Sequence, residues 1–287
     1  MSYEDYVCGT KFQGLADVVI GQHGKMEWKD NRVVRYVPKV YCHTHDFRYV
    51  VDVIKDLAEQ VILITHNSDG AVRNSLSGQA IGPNDADASL LPPNVIKWYA
   101  QNVEAPFHLF DEKIVPIPIG LENRYCFPYD KAEMLFKKET NSKIKNDLYF
   151  NCNLRTNLHE REKALQACQM AEKNITVRLG ANGEDYNAYL DDILAHRGVV
   201  SPRGNGLDCH RTWEALYLNR IPVMTYDRSL CSFNLPIVFL NRWGELSFAI
   251  NNIITEVEVS IKYIHTGIAD MRALSMKYWE QRINYAE

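Results

Sequence analysis

The sequence has no long hydrophobic run. Stretches such as residues 61–64 and 237–240 fall far short of the ~20 apolar residues that a bilayer-spanning helix needs. Basic residues are not in excess either: 32 Lys and Arg stand against 36 Asp and Glu, a net charge of −4. Nucleic-acid binders draw affinity from counterion release and usually carry a basic surplus, so the composition does not point to that class. No CxxC pair occurs. The seven cysteines, at positions 8, 42, 126, 152, 168, 209 and 231, are scattered and odd in number. That argues against a disulfide framework and points to a reducing, cytoplasmic setting with buried thiols. Residues 1–8 are polar, aromatic and acidic, without the basic start and apolar centre of a signal peptide.

What is present is a globular composition, 46% hydrophobic and 24% charged, over 287 residues. At roughly 100–200 residues per domain, that length accommodates two domains. Short apolar runs at 61–65, 95–100, 114–119, 148–153, 176–179, 198–201, 221–225 and 237–240 read as strands. Helical patterns lie between several of them, at 46–59, 159–172, 185–196 and 208–219. The first places Val50, Val53, Ile54 and Leu57 on one face, and the second buries Ala164, Leu165 and Cys168. Alternation of this kind predicts an α/β fold with parallel sheets covered on both faces. The lysine-rich stretch 129–147 reads as a connection. It divides the chain into a first unit, 1–140, and a second, 146–270. Residues 271–287, the end of a long helical pattern, are expected to return to the first unit.

The most informative segment is 199–224, VVSPRGNGLDCHRTWEALYLNRIPVM. A strand ends at Ser201, and a loop of Pro202, Arg203, Gly204, Asn205 and Gly206 follows. Asp208 is positioned to cap the next helix. Glycines in such a loop allow close approach to a ligand, and the amides near Cys209 and His210 would face it, an arrangement that favours phosphate. Arg203 and Arg211 can add charge-assisted contacts. Glu214, three residues after Arg211, can accept hydrogen bonds from two ribose hydroxyls. The bland alternative is a capped helix with an Arg211–Glu214 ion pair at its surface. The segment is not a phosphate loop of the GxxxxGK[ST] kind, and it lacks the third glycine of GxGxxG.

SPRGNGLDCHRTWEAL followed by IPVM resembles the donor-site signature of the exostosin-like glycosyltransferases. The matching positions are Pro202, Arg203, Gly204, Arg211, Glu214, Ala215, Leu216, Pro222 and Val223. The resemblance is strongest over residues 148–225. It implies two Rossmann-like lobes of the GT-B type, with a nucleotide sugar held mainly by the second. It also implies inversion at the anomeric carbon and no required metal or other cofactor. Retaining GT-B enzymes often place a second Glu eight residues before the donor-helix Glu. Here that position is Gly206, which weakens the retaining alternative. Animal members usually carry a membrane anchor, so this chain looks more like the compact soluble versions of large algal viruses and microbes.

Other residues fit that picture. Asn153, Arg155, Thr156 and Asn157 follow a strand at the edge where open α/β sheets bind ligands. Arg155 is a candidate for stabilising the leaving diphosphate, or else a solvated loop arginine. Arg161, inside the following helix, reads as structural. Leu179 and Gly180 end a strand near the expected position of the base. Inversion needs a base for the acceptor hydroxyl. Asp69 is the first candidate and His66 the second, with Asp69 also placed to cap a helix starting near Gly70. In Cys42-His43-Thr44-His45-Asp46, the two histidines share one face if extended, but no third metal ligand has clear spacing. Asp46 is better placed as a helix cap, and His45 as part of an acceptor site. Glu122 and Asn123 are further candidates for lining the cleft. Trp98 and Tyr99 are either sugar-stacking or core.

The expected activity is transfer of a sugar from a UDP-sugar to a glycan hydroxyl, with UDP-xylose suggested by the likeness to small viral enzymes. A GDP-fucose-type transferase and a non-catalytic glycan- or nucleotide-binding module are the alternatives.

Overall fold

The computed structural model describes residues 1–21, 25–29, 37–104, 112–126, 130–171, 175–179, 185–250 and 270–285. The chain forms two compact units. The N-unit comprises Val7–Ile119, Gly206–Asp208 and Ser275–Glu287, and the C-unit comprises Met1–Tyr6, Gly120–Asn205 and Cys209–Leu274. The change of unit therefore falls between Ile119 and Gly120, earlier than the polar stretch at 129–147 suggests. That stretch is not a plain connection. Asp130 accepts a hydrogen bond from the Glu133 amide and caps a helix at Lys131–Phe136 that buries Ala132 and Leu135. The Asp-x-x-Glu spacing is a legible helix start. Tyr129, at the head of the stretch, lies outside the described residues.

The N-unit begins with α1 (Gly9–Leu15), which buries Phe12. Its sheet contains β1 (Val18–Ile20), β2 (Met26–Trp28), β3 (Lys39–His43), β4 (Val61–His66), β7 (Val95–Ala100) and β8 (Ile114–Pro116). The spatial order is β2-β1-β3-β4-β7-β8, with β2 antiparallel at one edge and the remaining pairs parallel. Every residue of β4 is buried, as a strand covered on both faces requires. Helix α2 (Phe47–Leu57) turns Phe47, Val50, Val51 and Ile54 inward. Trp98 and Tyr99 are fully buried, Trp98 stacked on Phe47 at 4.7 Å, so both belong to the core. A separate short parallel pair is formed by β5 (Val72–Arg73) and β6 (Ala86–Asp87).

The C-unit follows Lys131–Phe136, now α3. Its strands are β9 (Asn146–Cys152), β10 (Ile175–Leu179), β11 (His196–Val200), β12 (Ile221–Thr225) and β13 (Val238–Leu240). They lie in the order β10-β9-β11-β12-β13, all parallel. Among the described residues its further helices include α4 (Leu158–Met170), α5 (Tyr186–Leu194), α6 (His210–Tyr217) and α7 (Arg228–Cys231). Between β9 and β11 the strand order reverses direction. In open parallel sheets ligands bind beyond the carboxyl ends of strands at such a switch point.

The long helical pattern expected to end at 271–287 is described only in part, since residues 251–269, 286 and 287 lie outside the described residues. Helix α8 (Met276–Tyr285) belongs to the N-unit, where Trp279 packs on Phe12 and the Tyr99 hydroxyl donates to the Arg282 carbonyl at 2.8 Å. Among the described residues, no helix is long and apolar enough to cross a membrane.

Candidate functional site

Two loops leave the switch point of the C-unit, one after β9 and one after β11. The first turns tightly because the Asn153 side chain accepts the Arg155 amide at 3.0 Å, and Asn157 then caps α4. The two loops are tied together. Asn157 Nδ2 donates to the Gly204 carbonyl at 2.8 Å. Buried Arg161 donates from Nη1 to the Asn153 carbonyl at 2.6 Å and from Nε to the Arg203 carbonyl at 3.2 Å. The guanidinium thus acts as a planar brace, a role lysine cannot copy. Arg161 is structural, as its place in the helix suggests, but what it structures is the site itself.

The glycines of the Pro-Arg-Gly-Asn-Gly loop are set by close neighbours within the protein. A Cβ on Gly204 would lie 3.0 Å from Arg161 Nη2, and one on Gly206 would lie 2.7 Å from Asn102 Nδ2. Both positions make room for other side chains of the protein. Asp208 is not the helix cap. Cys209 occupies that position, with no side-chain capping bond. Asp208 instead accepts the Ile119 amide at 2.9 Å, and its own amide donates to Asn102 Oδ1 at 3.0 Å, all within the N-unit. Ser201 is buried and bonded to Thr212 Oγ1 at 2.9 Å and to Cys209 Sγ at 3.2 Å, which fixes the start of α6 against β11.

Arg211 is the central feature. Its Nε and Nη1 are buried, and neither has a hydrogen-bond partner among the described residues. Buried guanidinium donors are expensive to leave unmatched. Neither Arg211 nor Arg161 forms an ion pair among the described residues; the two guanidiniums feel each other's charge, and Glu214 is near enough to favour the charged form of Arg211 without pairing with it. Arg155 and Arg203 are exposed on the same two loops, half-buried Thr156 sits between the loops beside Gly204, and Asn205 is exposed. Loops, cations and the first amides of α6 form an arrangement suited to a multiply charged anion.

Glu214 departs from expectation. It is 5% exposed, and its oxygens accept the hydroxyls of Tyr186 at 2.8 Å and Tyr189 at 2.7 Å, both from α5. It is not a surface partner of Arg211. A two-point grip on ribose would have to share oxygens already engaged. The tyrosine pair could not be anticipated, because it lies 25 and 28 residues away in sequence.

His210 opens α6 with Nδ1 on the Gly120 carbonyl at 2.8 Å and Nε2 on Glu122 at 3.3 Å. Two acceptors demand two N–H donors, hence an imidazolium. Burial opposes the charge, but the hydrogen bond and charge of Glu122 hold His210 up at about 9. Burial likewise works to raise Glu122, but the His210 hydrogen bond and charge, with Lys131, hold it at about 2. Glu122 therefore serves as a counter-ion within the C-unit. Leu179 is exposed at the end of the edge strand β10, and Gly180 lies outside the described residues.

In the N-unit, His66 is buried. Its Nε2 lies 2.9 Å from the Pro118 carbonyl, and its Nδ1 accepts the Asn67 amide at 2.7 Å. With both ring nitrogens committed, it is not placed to take a proton from a substrate, which removes it as the second candidate base. Asp69 is exposed in the loop between β4 and β5, and no helix starts at Gly70, whose amide is bonded to Ser68 Oγ at 3.1 Å. The capping role expected of Asp69 is therefore not there. Asp46 makes no capping bond to α2. His45 sits between it, at 3.7 Å, and Ser68 Oγ, at 3.1 Å, and His43 stacks on His45 at 5.3 Å. Among the described residues no cluster of three or more potential ligands could hold a metal.

No family model matches the chain, and no curated protein matches it.

Proposed function

We propose that this protein is an inverting glycosyltransferase of the GT-B type, moving a sugar from a UDP-sugar to a glycan hydroxyl. The observation that carries the reading is the pair of buried, unmatched donors on Arg211, at the mouth of α6 beside the β9 and β11 loops. A diphosphate would supply the acceptors those donors lack. The exostosin-like pattern around Arg203, Arg211 and Glu214 supports the assignment of that diphosphate to a nucleotide sugar. In the proposed reaction the acceptor oxygen attacks the anomeric carbon and the bond to the UDP oxygen breaks. The negative charge left on UDP is stabilised by Arg211, Arg155 and the helix amides. Asp69 of the N-unit is the proposed base for the acceptor proton. UDP-xylose is the first donor to try, because the resemblance leans toward small viral enzymes.

Isothermal titration with UDP, GDP and a panel of UDP-sugars tests this, first without metal and then with magnesium or manganese. Micromolar binding of UDP and not of GDP is expected. No binding of any nucleotide under either condition would sink the reading.

A further inference from the structure

Arg211 and Glu214 stand three residues apart on α6, a spacing at which opposite charges normally meet. Both are drawn into the interior, yet they form no ion pair, and each carboxylate oxygen carries a tyrosine hydroxyl instead. Both hydroxyls come from α5, one turn apart, and the two rings stack at 5.7 Å. A carboxylate held by two O–H donors is satisfied without the guanidinium. Lys131, His210 and Arg211 all feel the charge of Glu214, and of the three Arg211 is the one that shares its helix face three residues away and has donors left over, so with phenylalanines in place of the tyrosines the carboxylate would be free to turn to it.

We propose that Tyr189 and Tyr186 are positioning residues that keep Glu214 from pairing with Arg211, so that the guanidinium Nε and Nη1 stay unbonded and available to an anionic ligand. This deepens the donor-site reading and rests on it for the identity of the ligand, but the contact between the three side chains can be tested without one. The class of ligand selected is one with several anionic oxygens spread over more than one centre, as in a diphosphate. Nε and Nη1 present their hydrogens on different edges of the guanidinium plane, so a single compact carboxylate does not match both. Tyr189 is the member to change first. Its phenol lies close enough to feel the charge of Arg211 as well as that of Glu214.

The experiment uses the full chain labelled with 15N-arginine, as wild type, Tyr189→Phe and Tyr189→Phe/Glu214→Gln. The Arg211 Nε–H signal is assigned by its loss in Arg211→Lys. Inorganic pyrophosphate is the binding probe. In Tyr189→Phe the Nε–H signal should move downfield as Glu214 closes on the guanidinium. Pyrophosphate should bind roughly tenfold more weakly, the scale of one lost charge-assisted hydrogen bond. In the double variant both effects should revert, because an uncharged amide in place of the carboxylate cannot compete. If Tyr189→Phe does not fold, Tyr186→Phe releases the other oxygen and is read in the same way. An unmoved signal and unchanged affinity in the tyrosine variant would overturn the proposal, as would a shift that persists in the double variant. Should wild type fail to bind pyrophosphate while the signals move and revert as described, the positioning device stands and the donor-site reading falls.

Discussion

Arg211 and Glu214 share one turn of α6, are both drawn inward and do not touch as an ion pair. Opposite charges at this spacing usually meet, and here the tyrosine hydroxyls take the place of that pairing on the carboxylate. Among the described residues, Nε and Nη1 of Arg211 have no hydrogen-bond partner, while the carboxylate is satisfied by tyrosines. A buried donor without a partner works against stability.

Arg211→Met should therefore separate binding from stability. Pyrophosphate or UDP affinity should fall by about ten- to a hundredfold, the loss of one or two charge-assisted hydrogen bonds. The thermal midpoint without ligand should stay level or rise, because an unmatched charge has been replaced by a packed side chain. Calorimetry reads both. A fall in midpoint together with unchanged affinity would mean that Arg211 is a structural residue.

The His210–Glu122 pair predicts a pH window. The folded pKa of His210 is raised to about 9, so its contribution is complete below its ordinary value near 6.5 and fades as pH climbs through 9. The folded pKa of Glu122 is lowered to about 2, so its contribution is complete above its ordinary value near 4.5 and fades as pH drops through 2. The pair should stabilise most between those ordinary values, by about 2 kcal/mol once partial solvent screening is allowed for. In Glu122→Gln, the His210 resonance should titrate well below 9 by NMR. A midpoint that stays near 9 would locate the cause elsewhere.

Arg161 is predicted to matter through the two carbonyls it braces. Arg161→Met removes both bonds and should cost about 3 kcal/mol in urea unfolding. Arg161→Lys keeps the charge but cannot bridge two loops, so it should fall in between. A loss below about 0.5 kcal/mol for the methionine variant is the size of an ordinary surface change and would remove the brace from the account.

Gly206→Ala should destabilise by about 1–3 kcal/mol, because the new methyl meets an Asn102 amide that is itself pinned. Asn102 Nδ2 is bonded to the Ser68 carbonyl at 3.1 Å and Oδ1 to the Asp208 amide at 3.0 Å, so it has little room to yield. Asn102 has a φ of 57°, a conformation that glycine accepts freely. The double variant Gly206→Ala/Asn102→Gly should therefore lose less than the sum of the singles. Strict additivity in chemical denaturation would mean that the two residues do not collide.

Asp69→Asn and His66→Gln should part company. If Asp69 is the base, its variant should release UDP from a UDP-sugar at least about a hundredfold more slowly, with UDP affinity unchanged. His66→Gln should act mainly on folding, since its ring is buried and bonded to the Pro118 carbonyl and the Asn67 amide. Equal rates for wild type and Asp69→Asn would remove Asp69 from the chemistry.

Much of the fold is legible from local pattern. The runs at 61–65 and 221–225 reappear as β4 and β12, and the 46–59 pattern as α2. Each carries a periodic apolar signal over enough residues to declare itself. The strands β1, β2 and β3 and helix α1 are not among the expected elements, because each carries too short an apolar run to stand out. The site is legible in part. Arg211 and the two loops can be found because a Pro-Arg-Gly turn before a helix is a local signal. The roles of Gly204, Gly206, Asp208 and His66 cannot, because each is decided by a partner outside its own segment.

An α/β chain with parallel strands, and an arginine-bearing loop running into the α6 helix, can be read from the order of residues alone. Periodicity, turn residues and charge act over a few neighbouring positions, and those are written in order along the chain. It took three-dimensional packing to give Asp208 to Ile119 rather than to a helix cap, and to give Glu214 to Tyr186 and Tyr189 rather than to Arg211. These outcomes are set between elements 25 to 89 residues apart. A hydrogen-bonding group goes to the partner that folding brings within reach, and linear spacing does not encode that distance.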